Sequence, residues 1–156
     1  MPRFNAYKLS NGPFKAMAAL DATLAGTSIE EPLRHLIKLR ASQINGCAYC
    51  IDMHWKDAKA GGETEQRLYG LDAWDESPYY TDRERAALLW CEAMTRLDHD
   101  HVGDEVYERV RQTLSEQEVS DLTCVVATIN MWNRFAIASR SDAGTYHPRE
   151  AHAASS

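Results

Sequence analysis

The chain has no apolar run approaching the roughly 20 residues of a membrane-crossing helix, so no membrane partner is expected. It has no cluster of Lys or Arg either. Seventeen basic side chains face 23 acidic ones, a net charge of −6, and without a basic stripe no nucleic acid partner is expected. The opening Met1-Pro2-Arg3-Phe4-Asn5 holds no apolar segment of the kind a secretion signal needs. Convincing alternation of apolar and polar residues is missing, so strands are not expected. Cysteine is scarce: four in 156 residues are too few for a disulfide scaffold. A close pair in a cytoplasmic protein, the location expected here, points instead to redox or metal chemistry. Length and an apolar content of 44% suit one domain over residues 1–156 with its own core. Residues 141–156 are small and polar and are expected to form a flexible tail.

What is present is helical punctuation. Asn11-Gly12-Pro13 opens a helix that closes at Gly26, with Phe14, Met17, Leu20 and Leu24 as its buried stripe. A second runs over 32–44, with Ser28 and Glu31 as a capping box. A third covers 47–60 and stops at Gly61-Gly62. Thr64 caps a short turn that ends at Gly70, and an aromatic loop over 72–80 follows. Thr81 and Glu84 start a helix whose apolar face is Ala86, Leu89, Trp90, Ala93, Met94 and Leu97. After the polar loop around His99 and His101, one helix carries Val106, Val110 and Leu114. The last runs over 116–138, capped by Ser115 and Glu118. Between Asp121 and Arg134 it has no charge, which predicts burial on most of its circumference, and Asn130 and Asn133 then require partners. The fold class expected is all-α, a bundle of about six or seven helices.

The chemistry concentrates in Cys47, Cys50 and His54. On one helix they fall at i, i+3 and i+7, within a sector of about 60°. Cys47 stands in the first turn, where unpaired N–H groups and the helix dipole favour a thiolate. His54 is one turn from Cys50 and two from Cys47, so Cys50 is the better candidate for deprotonation.

The run LRHLIKLRASQINGCAYCIDMHWKDA resembles the alkyl hydroperoxidase D family, also called the carboxymuconolactone decarboxylase-like family. The likeness continues through GETEQRLYGL, ERAALLW and INMWNRF and so covers most of residues 14–136. It implies an AhpD-like helical bundle assembled as trimers or hexamers, and thiol-dependent peroxidase activity. The decarboxylases of that fold lack the paired cysteines, so Cys47 and Cys50 point to the redox branch. One position departs from the pattern: His35 stands where the peroxidase members carry a glutamate that joins the histidine in a proton relay. A histidine can pass protons, but it cannot balance an imidazolium as a carboxylate does.

In agreement with that resemblance, Cys50 is expected to attack a small-molecule hydroperoxide, with Cys47 resolving the sulfenic acid as a disulfide. His54 relays the proton, with His35 beside it, and no cofactor is expected beyond an external dithiol or disulfide-reductase electron donor. Three alternatives stand beside this. The cysteines are structural core residues; or Cys47, Cys50, His54 and His35 form a zinc set in a metal- or redox-responsive module; or the chain is a general thiol–disulfide oxidoreductase. Haem attachment is excluded because Ile51, not histidine, follows Cys50. Cys91, off the apolar stripe of its helix, and Cys124, in a buried one, read as inert apolar residues. Asp52 and Lys56 read as a solvated pair.

Overall fold

The computed structural model describes residues 2–97 and 101–148, and these contain eight α-helices and no strand. They are α1 (Ala6–Leu9), α2 (Asn11–Thr23), α3 (Glu31–Asn45), α4 (Ala48–Ala60), α5 (Glu65–Tyr69), α6 (Asp82–Arg96), α7 (Asp104–Arg111) and α8 (Glu116–Ser139). Six of them have seven residues or more, which accounts for the expected bundle. The extra elements are single turns, α1 and α5, with short 3₁₀ segments at Leu24–Gly26 and Leu71–Ala73. His99 lies outside the described residues.

Helix α3 is the centre, packed against α4, α6 and α8. Leu36, Ile37 and Leu39 on it have no exposed surface. Each fully buried side chain of that kind contributes about 1.5–3 kcal/mol. Even Arg40 on α3 is buried; its Nε donates to Glu92 Oε1 at 2.8 Å, and Trp74 Nε1 donates to the same oxygen at 2.7 Å. That shared carboxylate turns the aromatic loop inward. Trp74 and Tyr80 belong to the core, while Tyr79 stays partly exposed.

The caps of α6 and α8 form as expected, with both capping boxes closed. The box expected at Ser28 and Glu31 does not. Ser28 donates from its backbone and hydroxyl to Asp121 on α8 instead, at 2.8 and 2.7 Å, so a long-range carboxylate outcompetes the local one. Leu20, expected to be buried, is 47% exposed because α2 meets the bundle through Phe14 and Met17, with Leu24 buried just beyond its end. The buried side of α6 is rotated toward α3: Ala87, Leu88 and Cys91 have no exposure and Leu97 faces out. Cys91 Sγ reaches Ile37 O at 3.6 Å, and burial pushes its thiol up to about 12, which makes it unreactive. Cys124 is exposed, not buried, since α8 leaves one side of its charge-free stretch, Cys124 and Ala127, uncovered.

Asn130 and Asn133 find the partners their burial requires. Asn45 Nδ2 donates to Asn130 Oδ1 at 3.0 Å and to Asn133 Oδ1 at 2.8 Å. Asn133 Nδ2 donates to Ser42 Oγ, and Asn130 Nδ2 to Thr95 Oγ1, both at 3.0 Å. The network fastens the end of α3 to α8 and α6, and the cysteine pair begins two residues beyond Asn45.

Candidate active site

Gly46 ends α3 in the left-handed conformation, φ 66°, where a side chain would be strained. The reversal brings Cys47 N back onto Ser42 O at 3.0 Å and sets Cys47 as the N-cap of α4. Its Sγ accepts from Cys50 N at 3.3 Å, in place of the usual oxygen cap. Cys47 and Cys50 are joined as a disulfide with Cα atoms 5.3 Å apart, and both are almost fully buried. A bonded pair supplies no thiolate ligand for zinc.

His54 follows one turn after Cys50, also buried, and neither ring nitrogen has a hydrogen-bond partner. Burial pulls its pKa down to about 3, and the positive charges of Lys38 and His35 add to this. In the disulfide state the ring is neutral. A thiolate on Cys50 after reduction would supply the counter-charge that an imidazolium there needs.

Cys50 and His54 open onto a pocket of about 590 Å³, whose lining includes Cys50 but not Cys47. Tyr49 and Met53 continue the α4 side, and Trp132 and Phe135 of α8 face them. Phe14 of α2 packs edge-on against Trp132 with ring centroids 5.0 Å apart. Tyr7 of α1 packs against Phe14 in turn, at 5.6 Å. The wall is thus largely aromatic. Its charged members are Lys38 and Asp21, the Lys38 Nζ donating to Asp21 Oδ1 at 2.8 Å, and Asp142 of the tail. Tyr49, between the two cysteines, is half-buried on this wall.

His35 is not among the lining residues. It stands beside the last turn of α4, its Cδ2 3.8 Å from where a Cβ on Gly61 would sit, and its Nε2 is 3.5 Å from Glu31 Oε1. Burial lowers its pKa against the opposing pull of Asp57 and Glu31. Cys50 and His54 therefore share one pocket, with Cys47 bonded to Cys50 and His35 outside the lining.

Several parts of the site went unread in the sequence: the Lys38–Asp21 pair, the aromatic wall and Asp57, whose Oδ2 is 4.0 Å from His54 Nδ1. The charge-free stretch of α8 was the available signal for Trp132. Asp57 stands at i+3 from His54, a spacing at which helical side chains meet. Residues beyond α8 complete the site. Gly144 N donates to Asp52 Oδ2 at 3.1 Å, Lys56 Nζ to Tyr146 O at 3.0 Å, and Tyr146 OH to Asp57 Oδ1 at 2.6 Å. Asp52 and Lys56, 2.9 Å apart, are thus also a clamp for the tail.

Comparison with known proteins gives a consistent picture. The model of the carboxymuconolactone decarboxylase family matches residues 13–93. An uncharacterized Bacillus subtilis protein, YdfG, is 43% identical over 136 residues, covering 87% of this chain and 92% of its own. A crystal structure from Agrobacterium tumefaciens superposes with a TM-score of 0.89 at 40% identity, covering 94% of this chain and 100% of that one. It is a protein of unknown function for which a role in antioxidant defence, as an AhpD protein, has been suggested. An uncharacterized peroxidase-related protein from Silicibacter sp. TM1040 shares the fold, with a TM-score of 0.79 at 24% identity over 90% of this chain and 74% of that one.

Proposed function

Because the chain belongs to the carboxymuconolactone decarboxylase family and carries a bonded cysteine pair, we propose that it is a thiol-dependent peroxidase acting on organic hydroperoxides. The observation that carries this reading is the pocket: Cys50 and His54 face it together, and Cys47 stands one turn behind. An entering molecule meets the sulfur that has a base beside it.

In the reduced protein His54 takes the Cys50 proton, and the thiolate attacks the terminal oxygen of the hydroperoxide. The O–O bond breaks, the alcohol leaves with the proton returned by His54, and Cys50 becomes a sulfenic acid. The Cys47 thiol displaces the sulfenic oxygen as water and closes the disulfide. A dithiol donor, oxidised in turn to its own disulfide, restores both thiols by exchange. The sum is hydroperoxide plus dithiol giving alcohol, water and disulfide. No resident cofactor enters. A pair that must be re-reduced suits a cytoplasmic setting, and the uncovered side of α8 suits self-assembly into trimers or hexamers.

The test is steady-state reduction of cumene hydroperoxide with dithiothreitol as donor. Cys50→Ser abolishes turnover and His54→Ala slows it strongly, while reduced Cys47→Ser, freed of dithiothreitol and given one equivalent of hydroperoxide, halts at a trappable sulfenic acid. Wild-type turnover in Cys50→Ser removes the assignment. Disulfide exchange without hydroperoxide consumption replaces it with a general thiol–disulfide oxidoreductase.

A further inference from the structure

The structure leaves a buried base without the partner it needs once charged. Both nitrogens of His54 are enclosed and unpaired, and a buried polar side chain in that condition is rare. Around it the charges are unequally placed. Lys38 and His35 on α3 both oppose a proton on the ring. Asp21 on α2 is taken up by Lys38, and Asp142 of the tail stands at the pocket wall. From α8 the pocket receives the uncharged Trp132, Phe135, Ala136 and Ser139. Asp57, one turn along the same helix, brings a carboxylate oxygen to 4.0 Å from the ring.

Asp57 is not an ordinary solvated acid. Tyr146 OH holds its Oδ1 at 2.6 Å, which leaves Oδ2 as the oxygen nearest His54 Nδ1. Tyr146 is itself positioned, its carbonyl accepting from Lys56 Nζ, and Gly144 beside it donates to Asp52. Three residues of α4, Asp52, Lys56 and Asp57, thus grip one segment of chain, and the grip aims a carboxylate at the base. The remaining gap is small, and such contacts commonly tighten only in the reacting state.

We propose that Asp57 is a positioning residue for the Cys50–His54 pair, the counter-charge for the His54 imidazolium, with Tyr146 fixing its direction. His54 Nδ1–H donates to Asp57 Oδ2, which leaves Nε2 to receive the proton of the Cys50 thiol. The inference rests on the thiol reading above, but it concerns thiolate formation and needs no peroxide.

It is tested on the reduced, full-length protein by the rate of iodoacetamide alkylation at Cys50 between pH 5 and 9, read by mass spectrometry. Asp57→Asn moves the midpoint of the profile up by about one unit and slows the reaction at pH 7 about tenfold. Tyr146→Phe shifts it the same way by less, and Asp57→Glu restores most of the rate. In a His54→Ala background, Asp57→Asn adds nothing, which a merely structural role would not predict. An unchanged profile in Asp57→Asn, or an equal slowing without His54, overturns the proposal. Should Asp57→Asn fail to fold, Tyr146→Phe decides: an upward shift supports the role and an unmoved profile removes it. Absence of hydroperoxide turnover in the wild type would count against the peroxidase reading alone, since the alkylation profile is independent of it.

Discussion

Lowering the pH should destabilise this protein through one residue. Unfolded, His54 titrates near 6.5; folded with the disulfide closed, burial holds it down to about 3. Above 6.5 the ring is neutral in both states and contributes nothing. Below 6.5 the unfolded chain binds a proton that the folded one refuses, so stability falls with pH until about 3. Each unit within that window costs about 1.36 kcal/mol. At pH 4.5, two units into it, the loss is about 2.7 kcal/mol, a sizeable part of the roughly 5–15 kcal/mol that keeps a domain folded. The assay is urea unfolding of the oxidised protein at pH 7 and 4.5, beside His54→Gln, which cannot take up the proton. Carboxylates and His35 titrate in both proteins and cancel. Wild type is expected to lose about 2.7 kcal/mol more than the variant between the two pH values. Parallel losses would mean that His54 is as well solvated folded as unfolded, and the description of the site as a desolvated base would be wrong.

Two further outcomes follow from the same geometry. Asn133→Leu removes one of the two acceptors of the Asn45 amide and the donor to the Ser42 hydroxyl, and urea unfolding should show a loss of about 1–3 kcal/mol. Trp132→Ala removes one aromatic wall and the ring that Phe14 packs on. Steady-state kinetics should then show the KM for cumene hydroperoxide rising about tenfold, with hydrogen peroxide, too small to touch that wall, little affected.

Most of the architecture could be read from punctuation. Gly46, Gly61, Gly70 and the Thr81 and Ser115 boxes mark real ends because they act locally, within a turn of the break they make. Faces were harder. The side of α6 that is buried depends on α3 and α8 crossing it, which is why Cys91 is interior and Leu97 is not. Cys124 was misplaced for the same reason: an uncharged helix side need not be covered. In the site, the juxtaposition of Cys47, Cys50 and His54 followed from helical spacing alone. What completes it comes from far along the chain. Trp132 lies 82 residues beyond Cys50, and Tyr146 reaches Asp57 across 89. No periodicity reports such contacts.

The central claim, that Cys47 and Cys50 are a working redox pair, is met most directly by counting thiols before and after one equivalent of cumene hydroperoxide. Quenched and unfolded before titration, the reduced protein should present four thiols, Cys47, Cys50, Cys91 and Cys124. One equivalent of hydroperoxide should remove two of them within a single turnover, return one equivalent of alcohol, and leave a disulfide that dithiothreitol reopens. Four thiols still titrating after the hydroperoxide has been added, with the hydroperoxide unconsumed, would contradict the account.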